Sequence, residues 1–182
     1  MSAKTFPGPG DLAGKEEQDI DLIRRDYFAA VGAVASVLAA SPQYSSLLLG
    51  DLMKLVMEPL ARGRLFIAWP SSGERRKALP GGIAGIVFTA CVSTPVDRKM
   101  RRLIERGQFP ILLEPSEWIS GNIHWILDVL APDAGSAVSL VDKYQQTLNS
   151  QTLRIHPHLI GKLGLEQLSS IGLAQAAKRQ LN

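Results

Sequence analysis

A chain of 182 residues can bury one sizeable core, and 46% hydrophobic with 20% charged residues is the balance of a globular protein. The longest uncharged apolar run, "YFAAVGAVASVLAAS", is too short and too rich in Ala and Gly to suit a bilayer span. The single cysteine, Cys91, excludes an internal disulfide and a Cys-based zinc site, and the net charge of +3 is only modestly basic.

In chain order, "MSAKTFPGPGDLAGKEEQD" has no apolar stretch after its lysine and so does not read as a signal peptide. Its Pro and Gly suggest a disordered tail over residues 1–14, followed by a single domain over 15–182 in a cytoplasmic protein. Residues 16–40 read as a helix, with Tyr27, Val31, Val34 and Leu38 on one face. Ser41-Pro42 breaks it, because proline lacks a backbone donor and pushes the preceding residue out of helical geometry. The break delivers Ser41, Gln43 and Tyr44 to the mouth of a second helix striped by Leu48, Leu52, Leu55, Val56 and Leu60, with Gly63 as its stop.

"RLFIAWP" and "IAGIVFTACVS" read as an antiparallel strand pair, the second apolar enough for a central position covered on both faces. Thr94-Pro95 then supplies an N-cap and a first-turn proline for a helix whose inner face is Val96, Met100, Leu103 and Ile104. Its outward side carries Arg98, Lys99, Arg101, Arg102 and Arg106. Such a cluster suits an acidic partner, whether nucleic acid, an anionic membrane surface or an acidic protein; the alternative is a solvated face. No aromatic residues alternate with these arginines, which argues against single-stranded nucleic acid.

"NIHWILDVLAP" reads as a third strand, Asp133 as the cap of a helix with Val138, Val141, Tyr144 and Leu148 on one side, and "TLRIHP" as a fourth strand before a glycine-interrupted tail. The expected fold is therefore α/β (α+β), a mixed and partly antiparallel sheet with helices on both faces.

Asp128 carries the most chemical information, because a carboxylate in the middle of an apolar strand must be paired, hydrogen-bonded or set at a cleft. Strict alternation puts it on one face with His124 and Ile126, and Trp125, Leu127 and Val129 on the other. It reads either as a general base or its orienter, or as a structural Asp tying down a loop. His124 reads as a partly exposed strand residue, and no nearby carboxylate completes a metal site with His156 and His158. Cys91 reads as an inert core thiol, and no Gly-x-Ser-x-Gly elbow exists. "GGIAG" leads into a strand rather than a helix, and Asp133 at the next helix start would repel a pyrophosphate, so no free nucleotide or coenzyme A cradle is expected.

With the elements in this order, the chain resembles the toxin-activating lysine acyltransferases, which move a fatty acyl chain from acyl carrier protein onto internal lysines of secreted repeat-containing toxins. The resemblance spans Val31 to Lys162. It rests on "EWISGNIHWILDVLAP", with its Trp-x-Ser-Gly segment, central Asp and closing Ala-Pro. "VGAVASVLAASPQY", "EPL" at residues 58–60 and "IGK" at residues 160–162 fall in the same order. It implies a fold like the GCN5-related acetyltransferases, a sheet split near its centre where the donor's arm enters. It further implies an acyl carrier protein thioester as co-substrate with no bound cofactor or metal, and a protein substrate with an acceptor lysine.

The family places a catalytic histidine two residues after its Ser-Pro, working with the strand Asp. Here Ser41, Pro42 and Asp128 match, whereas Tyr44 stands at the histidine's position. With a reference pKa of about 10, Tyr44 suits a general acid toward the departing thiolate, with Asp128 acting on the lysine. His124 lies four strand residues from Asp128, about 13 Å at roughly 3.3 Å per residue, and cannot pair with it on that strand. Charge alone, not a family motif, suggests Arg98, Arg101, Arg102 and Arg106 as the docking face for the acidic carrier. A catalytically inactive relative that binds the carrier or a protein partner is the alternative function, and a nucleic-acid-binding domain a third reading. Apolar faces of the first helix or tail leave a homodimer open.

Overall fold

The computed structural model describes residues 9–70, 78–148 and 153–173, with side chains in the first helix from Asp19 onward. Residues 1–8 of the expected tail, 71–77 of the loop before the second strand, and 174–182 lie outside the described residues. Helix α1 (Pro9–Ala39) begins before the expected Glu16 and buries Val34, Val37 and Leu38. Ser41, extended as its place before Pro42 requires, ends it, and a 3₁₀ turn over Pro42–Tyr44 doubles the chain back. A π-helical turn (Met53–Met57) runs into the short helix α2 (Glu58–Ala61), burying Leu55 and Val56, while Leu48 stays 72% exposed ahead of it rather than joining the stripe.

The sheet has the order β1-β2-β3-β4, with β1 (Leu65–Ala68), β2 (Gly85–Val92), β3 (Ile123–Leu130) and β4 (Leu153–Ile155). The first two pairings are antiparallel and β3–β4 is parallel, so the sheet is mixed, as expected. Helix α3 (Thr94–Glu105) follows β2, with Ser93 rather than Thr94 at the cap position and Pro95 in its first turn. Helix α4 (Ala134–Gln146) follows β3, and Asp133 caps it by accepting the Ser136 N–H at 2.8 Å. Helices α5 (Pro157–Leu163) and α6 (Leu165–Ser170) close the described chain.

Each face of the sheet has its own core. On one, α1, the π turn, Met100 of α3 and the buried Trp118 pack on Ile86, Phe88, Ala90 and Trp125. On the other, α4, α5 and α6 pack on Val87, Ile126 and Val129. The Trp-x-Ser-Gly segment is stitched to the end of β2: Cys91 N–H donates to Trp118 O at 2.9 Å and Gly121 N–H to Cys91 O at 3.1 Å. Only glycine fits at 121, since a Cβ there would lie 2.5 Å from Ser93 Cα and 2.6 Å from the Val92 carbonyl oxygen.

Helix α3 is fixed to the first face by a charge cluster around the buried Asp97. Asp97 accepts from Arg154 Nη1 at 2.6 Å on each carboxylate oxygen, from Trp125 Nε1 at 2.9 Å and from Arg101 Nε at 3.3 Å. No helix among the described residues is long and apolar enough to cross a membrane.

Candidate active site

A bulge in β3 sets the geometry of the site. Phe88 pairs with Asp128 but Thr89 with Ile126, so Leu127 is an extra residue without an opposite number. Strict alternation fails at that point. Asp128 is turned onto the α1 face, away from Ile126, which stays in the α4 core; the expected shared face for His124, Ile126 and Asp128 is thereby corrected. The carboxylate is only 1% exposed.

The break at Ser41-Pro42 supplies its partner. Tyr44 N–H closes the 3₁₀ turn onto Ser41 O at 2.9 Å, and the Tyr44 ring stacks near Phe88 at a centroid distance of 6.3 Å. From there the phenol donates to Asp128 Oδ2 at 2.8 Å, a buried bond between residues 84 apart in sequence. Asp128 Oδ1 accepts the Val129 N–H at 2.8 Å, and Lys162 Nζ of α5 lies 3.5 Å from the same oxygen. Burial, reinforced by the adjacent Asp128 charge, pushes the Tyr44 phenol well above its ordinary range, so it remains a proton donor at neutral pH.

Sequence reasoning passed over His156. The β3–β4 pairing ends at Ile155, opposite Ile126; His156 N–H still reaches Ile126 O at 2.9 Å, after which the chain turns into α5. Beyond that point Lys162 Nζ donates to the Val129 carbonyl on the vacated edge at 2.6 Å. His156 therefore enters the cavity bordered by Tyr44, Phe109, Leu127 and Asp128, whose volume of about 10 Å³ accommodates about one water. Phe109 sits between the two, 5.5 Å from the Tyr44 ring and 5.5 Å from the His156 ring by centroid. Desolvation, with a smaller contribution from neighbouring His158, lowers the His156 pKa to about 4. The one sequence signal for it was position: a parallel strand ending in "IH" beside an Asp-bearing strand.

The other expected site residues are dispersed. The Ser41 hydroxyl is taken up by the Val37 carbonyl at 2.7 Å and does not meet Asp128. His124 is buried rather than partly exposed, with Nε2 at 3.5 Å from Cys91 Sγ. Cys91 is half-buried rather than a core thiol; its Sγ donates to Gly121 O at 2.8 Å, and burial raises its pKa. Arg98, Arg102 and Arg106 are exposed along α3, but Arg101 is engaged by Asp97. Among the described residues no group of three His, Cys, Asp or Glu side chains is arranged to hold a metal. Tyr44 also borders an open apolar groove of about 490 Å³, with Leu38, Leu47, Leu48 and Leu52 along it.

Neither protein-family models nor curated protein sequences match this chain.

Proposed function

We propose that this protein transfers a fatty acyl group from acyl carrier protein to the side-chain amine of a lysine in a protein substrate. The observation that carries the reading is the buried Tyr44–Asp128 bond at 2.8 Å, set where β3 and β4 part company. In this reading the neutral amine attacks the thioester carbonyl carbon and a C–N bond forms. Asp128 takes the proton released by the amine, the C–S bond breaks, and that proton passes to the departing sulfur. Tyr44 keeps its own proton on Asp128 and holds the carboxylate in place. The groove beside Tyr44, where Leu48 and Leu49 are 72% and 84% exposed, supplies the apolar surface that a fatty chain needs. The exposed Arg98, Arg102 and Arg106 suit the acidic carrier, with Arg101 contributing less because Asp97 already neutralises it.

One observation favours a second reading, a carrier-binding relative that transfers nothing. The residue at the family's histidine position is a phenol already committed to Asp128. Both readings meet the same experiment: carrier protein charged with a long-chain acyl group, followed for thioester loss with wild type, Asp128→Ala and Tyr44→His. Transfer predicts loss with wild type and a fall of about 10²–10⁴-fold in Asp128→Ala, the usual range for a general base. Consumption by Tyr44→His alone supports the binding protein. No consumption by any of the three overturns transfer.

A further inference from the structure

We propose that His156 is a catalytic residue of this site, donating its Nε2–H to the carbonyl oxygen of the acyl group; the proposal rests on the acyl-transfer reading above. The ring's two nitrogens are in different situations. Nδ1 accepts the backbone N–H of His158 at 3.1 Å and so caps the start of α5. A neutral imidazole whose Nδ1 is an acceptor carries its proton on Nε2. That Nε2 is buried and has no hydrogen-bond partner, in a residue only 5% exposed.

A buried donor without a partner calls for an explanation, and beside a carboxylate and a phenol a ligand oxygen supplies one. The ring lines the cavity that Asp128 and Tyr44 also line, and the space there holds one oxygen-sized group rather than an acyl chain. The other two polar side chains lining this space have partners, Tyr44 on Asp128 and Asp128 on Tyr44 and the Val129 N–H.

His156 does not act as a base, because burial keeps it neutral and the lone pair of Nδ1 is occupied. It is instead a fixed dipole directed at developing charge. When the amine attacks, the C–N bond forms and the carbonyl π pair moves onto oxygen. His156 Nε2–H hydrogen-bonds that oxyanion without giving up its proton. As the carbonyl re-forms, the C–S pair leaves with sulfur, and the amine's proton reaches the sulfur through Asp128.

His156→Asn separates the two nitrogens, since an asparagine oxygen can still cap α5 while the Nε2 donor is lost. With acyl carrier protein thioester, its kcat is expected to fall about 100-fold with little change in KM, the signature of a donor used in the transition state. Turnover equal to wild type overturns the proposal. A second measurement uses the full wild-type chain with ¹⁵N-labelled imidazoles and the octanoyl thioester of N-acetylcysteamine as probe. The His156 Nε2–H resonance is expected to move downfield as the probe is added. A resonance that stays put at millimolar probe overturns the assignment, whatever the variant does. Movement of that resonance in a wild-type protein that consumes no thioester supports His156 as the carbonyl's donor and overturns the transfer reading instead.

Discussion

Two buried carboxylates occupy the same face of the sheet, Asp97 from α3 and Asp128 from β3, 4% and 1% exposed. Their surroundings differ in kind. Asp97 is met on both oxygens by the Arg154 guanidinium, and the Trp125 indole and Arg101 take its remaining acceptor positions. A carboxylate so enclosed is compensated and has no lone pair left for a substrate. Asp128 is met by a phenol and one backbone N–H, its nearest cation stands off at 3.5 Å, and an unpartnered imidazole N–H shares its cavity. The first arrangement fastens a helix to a sheet. The second leaves acceptor capacity beside a vacant donor, which is what chemistry on a carbonyl requires.

The contrast is tested hardest on the side of stability. Asp97→Ala leaves the half-buried Arg154 guanidinium and the buried Trp125 N–H without their partner, and is expected to cost about 3 kcal/mol in urea unfolding. Adding Arg154→Met should restore a large part of that loss, because the unpaired charge goes with it. Asp128→Asn keeps an acceptor for Tyr44 and should unfold close to wild type. If the Asp128 variant loses as much as the Asp97 one, the two carboxylates are both structural and the distinction collapses.

The sequence carried these two residues very differently. Asp128 was conspicuous, a charge inside an unbroken apolar run that no turn explained. Asp97 sits among basic residues in "DRKMRR" and carries no signal of its own, because its partner Arg154 is 57 residues away on a strand too short to show alternation. The strands and the α4 stripe were legible for the same reason as Asp128: periodicity is local. The Asp133 cap was too, being fixed by its neighbour three residues on. What periodicity could not foresee is the bulge at Leu127, which reverses the face of every later residue in β3 and takes Asp128 off the face expected for His124 and Ile126, onto the one where Tyr44 lies. His156 escaped notice because its importance comes from where β4 stops pairing, which is a property of the sheet and not of the strand.

A pH series sharpens the contrast from the imidazole's side. His156 has an ordinary pKa near 6.5 when unfolded and about 4 in the fold, so the unfolded chain binds the extra proton between these values. Stability must therefore fall as pH drops from 6.5 toward 4, by about 2 kcal/mol between pH 7 and pH 5 from this group. Urea unfolding of wild type and His156→Asn at both pH values isolates it: the variant's loss should be smaller by that amount. Equal losses would mean that His156 is charged or solvated in the folded state, and the neutral donor assigned to the cavity disappears with that result.

The smallest effect separates Tyr44 as a holder of Asp128 from Tyr44 as a reactant. Tyr44→Phe retains the ring stacked near Phe88 and Phe109 and removes only the oxygen that binds the carboxylate. A hydrogen bond to a charged acceptor contributes about 1.5–3 kcal/mol, and part of that is recovered if a water enters the small cavity beside Asp128, so a net loss of about 1–2 kcal/mol is expected. Because the phenol's proton is directed at Asp128 and burial keeps it there, the alkaline limb of any pH–rate profile should be unchanged in Tyr44→Phe, with only the overall rate reduced. A lost alkaline limb would instead make Tyr44 a proton donor to the leaving sulfur. Asp97, whose partners hold no transferable proton near the reacting atoms, should leave every limb of that profile where it was.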